Sequence, residues 1–155
     1  MTDEVRWLSE DEQRSWRAFL RGHRMLAEAL DEALLVHGIR LSEYEILSML
    51  SEAAGGRLRM SVLADMVVQS RSRLTHTATR LERLGWVERH SCLEDRRGVE
   101  LVLTDAGREA LENLSRVHVT SVRESLVDQM TPEEFAVLGQ AMAKVVAALG
   151  GGTER

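Results

Sequence analysis

The sequence predicts a mainly α fold (α+β): helices in series, broken once by a two-stranded ribbon, with a long helix toward each end. Three observations lead there. Hydroxyl residues followed three positions later by Glu mark helix starts at Ser9/Glu12, Ser42/Glu45 and Thr131/Glu134, the last with Pro132 at the first helical position. Residues 70–103 hold a cationic helical run, a glycine stop and two apolar stretches joined by a charged loop. Both terminal regions repeat apolar residues at three- and four-residue intervals, over more length than a small core requires.

Taken in order, the first helix runs from Ser9 to about Val36 on Trp16, Phe19, Leu20, His23, Leu26, Leu30 and Leu34, and Gly38 ends it. The second spans Ser42 to about Ala53, with Ile46, Leu47, Met49 and Leu50. A short third helix follows, Ser61 to Val68, with Ser61 as its cap. The cationic helix starts at Ser70 or Ser72 and stops at Gly85; Leu74, Ala78, Leu81 and Leu84 form its inward stripe. Val87–Arg89 and Val99–Leu103 read as strands of a hairpin. Thr104, followed by Asp105, caps a long helix, and Thr131 caps the last one.

Two short helices joined at Val68-Gln69 make a helix-turn-helix, and the hairpin behind them is its wing. The organisation expected is an N-terminal dimerisation helix over 1–40, a winged helix-turn-helix lobe over 41–103, and C-terminal dimerisation helices over 104–155, forming one intertwined domain. The terminal helices are too apolar to stand alone, and a second copy of the chain is the simplest cover.

Charge distribution narrows the function. The chain of 155 residues has a net charge of −5, yet Arg57 to Arg97 contain nine arginines against five acids. The remainder carries 11 basic and 20 acidic residues, so a cationic island sits on an acidic scaffold. A helix of this kind fits a DNA major groove, and a ribbon tip reaches the adjacent minor groove. Ser70, Arg71, Ser72, Arg73, Thr75, His76 and Arg80 are the candidate contacts on the helix, with Asp95, Arg96 and Arg97 at the ribbon tip. Arg71 and Arg73 suit guanine edges or phosphates equally well, and the hydroxyls of Thr75, Thr77 and Thr79 suit close approach to phosphates. Paired heads about 34 Å apart would read a palindromic site.

Other chemistries find less support. The sequence contains no phosphate loop, dinucleotide fingerprint, nucleophile elbow or metal triad, so no enzymatic activity and no cofactor are expected. The histidines at 23, 37, 76, 90 and 118 lack metal-ligand spacing. Cys92 is the single cysteine and reads as structural or incidental. With 44% hydrophobic and 29% charged residues, no apolar run of membrane-spanning length and an acidic start unlike a signal peptide, a cytoplasmic, soluble chain is expected. Trp16, His23 and Met25 on the first helix are candidates for lining an effector pocket between the dimer and DNA-binding parts. The remaining alternatives are a metal- or redox-responsive winged-helix repressor of another kind, or a helical protein-interaction module.

Leu81-Glu82-Arg83-Leu84-Gly85-Trp86-Val87-Glu88-Arg89, Asp95-Arg96-Arg97-Gly98 and Leu101-Val102-Leu103-Thr104-Asp105-Ala106-Gly107, with long helices at both ends, resemble the multiple antibiotic resistance regulator (MarR) family over nearly the whole chain. The resemblance implies an obligate homodimer joined through its N- and C-terminal helices, with each wing tip in a minor groove. It further implies a transcription factor, usually a repressor that leaves its operator when a small ligand or oxidant acts on it. On this resemblance Arg97 matches the minor-groove arginine and Asp95 the acid that holds the wing's shape by pairing with an arginine.

Overall fold

The computed structural model describes residues 5–92 and 98–150. Helix α1 spans Glu10–Leu35, α2 Leu41–Glu52, α3 Met60–Met66, α4 Arg71–Arg83, α5 Asp105–Ser125 and α6 Pro132–Ala148. Strands β1 (Arg57–Arg59), β2 (Val87–Ser91) and β3 (Val99–Leu103) form an antiparallel sheet in the order β1-β3-β2. Val87 faces Leu103 and Ser91 faces Val99 across the hairpin, while Leu58 of β1 faces Leu101. The expected two-stranded wing therefore rests on a third strand. Arg57-Leu58-Arg59 has one apolar residue, too short an alternation to reveal a strand before β3 supplies its hydrogen bonds.

Local chemistry explains most helix starts. Ser9 Oγ accepts from the Glu12 amide at 3.2 Å, and the Ser9 amide donates to Glu12 Oε2 at 2.8 Å, a reciprocal cap. Thr131 and Glu134 repeat it ahead of Pro132. Ser70 Oγ accepts from the Arg73 amide, so Ser70 rather than Ser72 starts α4.

Two starts differ from expectation. Helix α2 begins at Leu41 instead of after Ser42, because Glu43 Oε2 accepts from the Arg40 amide at 2.8 Å and Asp31 of α1 accepts from the Leu41 amide at 2.8 Å. One of those caps comes from another helix, where no local motif can announce it. Helix α3 begins at Met60 without a side-chain cap, so Ser61 lies inside it. Its exit turns through Val68 at φ 51°, a left-handed conformation that is costly for a β-branched residue; the Gln69 amide recovers a bond to the Ala64 carbonyl at 2.9 Å.

The core forms around α2. Ile46, Leu47 and Leu50 are wholly buried, packed in one cluster with Leu34 and Ile39, Leu63, Leu74, Ala78 and Leu81, Val87, Leu101 and Leu103, and Leu111 and Leu114. Leu84 departs from the expected inward stripe and stays exposed, since the chain leaves the helix there and turns at Gly85 (φ 74°). Buried Thr77 completes the stripe with Leu74, Ala78 and Leu81. Helix α6 buries no residue, and Phe135, Val137, Val145, Val146 and Leu149 stand exposed along it. No helix among the described residues is long and apolar enough to cross a membrane.

The junction between reading head and α5 is the tightest point of the fold. Thr104 Oγ1 accepts from the Gly107 amide at 3.0 Å and donates to the Gly85 carbonyl at 2.7 Å, while the Thr104 amide donates to the Trp86 carbonyl at 3.1 Å. Gly107 packs so closely that a Cβ there would overlap the Trp86 carbonyl. We expect Gly107→Ala to destabilise the fold by about 2–3 kcal/mol, within the overpacking range. Urea unfolding checks it; an unchanged midpoint would refute the close approach.

Candidate nucleic-acid interface

Helix α4 presents two chemically distinct faces. Leu74, Thr77, Ala78 and Leu81 seat it in the core, and Ser70, Arg71, Ser72, Arg73, Thr75 and His76 lie exposed on the opposite side. Among the described residues, neither the Arg71 nor the Arg73 guanidinium donates a hydrogen bond to a protein group. Burial pushes the carboxyl of Glu45 on α2 above its ordinary range, and the positive charge of Arg73 partly offsets that shift.

The threonines are arranged differently from expectation. Thr75, Thr77 and Thr79 donate their hydroxyls to the carbonyls of Arg71, Arg73 and Thr75 at 2.8, 3.0 and 2.9 Å. Each proton is engaged one turn back along the helix, leaving only hydroxyl lone pairs, which a phosphate oxygen cannot use. Thr77 is also buried.

Arg80 departs from the expected set as well. Its Nη2 donates to the Gly38 carbonyl at 2.6 Å, and its Nε lies 3.2 Å from Glu43 Oε1. The guanidinium thus points back to the α1–α2 joint, although the side chain as a whole stays 46% exposed. On the other flank, Arg89 of β2 braces α4. It donates to Glu82 Oε2 at 2.6 Å, to the Thr75 carbonyl at 2.9 Å and to Thr79 Oγ1 at 2.9 Å. The sequence offered Arg89 only as one more cation of the island, because its partners become neighbours only when β2 folds back along α4.

At the ribbon, the Cys92 amide donates to the Gly98 carbonyl at 3.0 Å, and the Cys92 side chain is buried. Asp95, Arg96 and Arg97 lie outside the described residues. A recess of about 380 Å³ opens beside α4, bounded by Arg59, Met60, Arg71, Thr75 and Val99, and it adds Arg59 of β1 to the cationic face.

This assembly of a helix-turn-helix, a three-stranded sheet and flanking helices has known counterparts. The MarR family model matches residues 37–98. AbsC, a MarR family transcriptional regulator from Streptomyces coelicolor, is 40% identical, with a TM-score of 0.89 over 96% of this chain and 100% of its own. Sco3205, a MarR family transcriptional regulator from the same organism solved in complex with DNA, is 40% identical with a TM-score of 0.91, over 96% of this chain and 93% of its own. The chain belongs to the MarR family of transcriptional regulators. PecS of Dickeya dadantii, an HTH-type transcriptional regulator, is 29% identical over 122 residues, 78% of this chain and 73% of PecS.

Trp16, His23 and Met25, the candidate effector-pocket residues, lie on the first helix of this MarR-family chain. All three are exposed on α1, where Phe19 stacks between Trp16 and His23 at 6.0 Å from each. The recess beside α4 lies elsewhere. No group of three or more His, Cys, Asp or Glu residues among the described residues is placed to hold a metal ion.

A polar cluster that the sequence did not disclose sits where α2 meets α5. Tyr44 Oη is 3.3 Å from Ser115 Oγ, its ring centroid lies 4.3 Å from that of His118, and His118 Nδ1 is buried without a partner. Burial holds the His118 pKa below the usual histidine range. The unfolded chain therefore takes up this proton first as the pH drops through about 6.5, and folding stability falls. His118→Phe, which keeps the ring contact and removes the titration, should lose less stability than the parent between pH 7.5 and 5.5 in urea melts. Equal losses would show that His118 carries none of this pH dependence.

Proposed function

We propose that this chain is a cytoplasmic, homodimeric, sequence-specific DNA-binding regulator that represses transcription at a palindromic operator and leaves it when a small molecule binds. One observation carries the reading: the exposed face of α4 gathers Ser70, Arg71, Ser72, Arg73, Thr75 and His76 while the opposite face is locked in the core. Exposed guanidiniums on a helix whose inner face is buried are suited to phosphates and guanine edges in a major groove. Asp95, Arg96 and Arg97 complete the proposed contact set at the wing, with Arg97 entering the minor groove, where narrow A·T-rich segments concentrate negative potential. The DNA complex of Sco3205 supports the same class of ligand.

Dimerisation rests on the uncovered apolar faces of the terminal helices, Trp16 and Phe19 on α1 and Phe135, Val137, Val145 and Val146 on α6. A helix with such a face and nothing buried requires a partner, and a second copy supplies a self-complementary one. The proposed division is 1–40 and 104–155 for the dimer scaffold and 41–103 for each reading head. Effector release is supported by the buried His118 Nδ1, which has no partner among the described residues and lies beside the Tyr44–Ser115 hydrogen bond where α2 meets α5.

Fluorescence anisotropy on mixed-sequence duplex DNA tests the class: affinity should fall steeply with added salt, and an absence of salt-dependent binding would exclude it. Arg97→Ala should weaken operator binding at least tenfold, an estimate within the range of a lost minor-groove contact, with the dimer intact by sedimentation. Unchanged affinity would remove Arg97 from the interface. For Arg73→Ala the expected loss, about 1–3 kcal/mol, is confined to the specific operator. An equal loss on random DNA would reassign Arg73 to the phosphates.

A further inference from the structure

Arg80 stands on the recognition helix, but its head group is built into the joint between α1 and α2. The Gly38 carbonyl accepts from Nη2, and Nε pairs ionically at 3.2 Å with Oε1 of Glu43, whose side chain is only 5% exposed. The other carboxylate oxygen of Glu43 holds the Arg40 amide at the start of α2. Arg40 in turn pairs with Asp31 of α1 at 2.9 Å, and Asp31 also holds the Leu41 amide. Two acids and two arginines thus form one continuous chain of ion pairs and hydrogen bonds from the last turn of α4, through the start of α2, to α1.

Geometry separates this chain from the rest of the packing. Apolar contacts around Leu74, Ala78 and Leu81 bury the inner face of α4, and Arg89 holds it to β2, but neither supplies a directional bond from α4 to α1 or α2. A forked guanidinium between a carbonyl and a buried carboxylate tolerates little rotation. Loss of Arg80 also leaves Glu43 buried without its cation, so the α2 cap and the α4 anchor fail together.

We propose that Arg80 is a positioning residue that sets the angle of the recognition helix relative to α1, and thereby the half-site spacing the dimer accepts. The inference rests on the DNA-binding reading above. It removes Arg80 from the DNA contacts and makes it the coupling between reading head and scaffold. Any movement of α1 at Asp31 then reaches α4 through polar bonds as well as through the core.

The test uses a duplex selected from a random pool by the unmodified full-length protein, and the same duplex with one base pair inserted or deleted at its centre. The unmodified protein should lose at least tenfold in affinity on the altered spacings. Arg80→Ala and Glu43→Gln should each narrow that loss to threefold or less, the double variant should add nothing further, and Arg80→Lys should retain an intermediate preference. The slope of log affinity against log salt on the original duplex should stay unchanged in Arg80→Ala. A slope lower by about one would make Arg80 a phosphate contact and overturn the proposal. So would an unaltered spacing preference in a variant whose thermal unfolding remains cooperative. If Arg80→Ala fails to fold, Arg80→Lys and Glu43→Gln carry the same comparison. If the unmodified protein selects no duplex, the DNA-binding reading itself fails, and this proposal with it.

Discussion

One buried carboxylate organises the joint on which the reading head hangs. Glu43 satisfies the first amide of α2, neutralises Arg80 of α4 and sits beside the Asp31–Arg40 pair that ends the reach of α1. Burying a carboxylate is costly unless it is both paired and hydrogen-bonded, and here Oε2 accepts from the Arg40 amide while Oε1 pairs with Arg80. That requirement makes the local geometry specific: α1, α2 and α4 must come together in one arrangement for Glu43 to be satisfied at all.

The recognition helix is consequently held from two sides. Arg80 ties it to the scaffold helices, and Arg89 ties it to β2 through Glu82, Thr79 and the Thr75 carbonyl. Between these braces the outward arginines Arg71 and Arg73 have no internal commitments among the described residues. The same side-chain type is therefore divided between support and exposure. A braced helix with exposed cations is suited to a polyanion, since little backbone ordering entropy remains to oppose binding.

Polarity is distributed with the same economy elsewhere. The sheet joins β1 to the wing through β3, so the ribbon is anchored next to the start of α3, and Thr104 with Gly107 fixes where α5 departs. By contrast α6 leaves its apolar face open, and α1 does so at Trp16 and Phe19. Apolar side chains are thus buried near α4 and left uncovered along α6 and the first half of α1.

Sequence alone was enough for whatever depends on neighbours three or four residues apart. The caps at Ser9, Thr104 and Thr131, the start of α4 to within Ser70 or Ser72, its buried Leu74, Ala78 and Leu81, and the hairpin strands at Val87 and Val99–Leu103 all follow from local spacing and alternation. The exposed positions from Ser70 to His76 follow from the same helical period. Tertiary structure decided whatever depends on residues far apart in the chain. It capped α2 with Asp31, made a strand of Arg57–Arg59, exposed Leu84, and turned Arg80 and Arg89 inward. An arginine's long stem lets its charge lie several ångströms from its Cα, so helical periodicity locates the residue but not the group that acts.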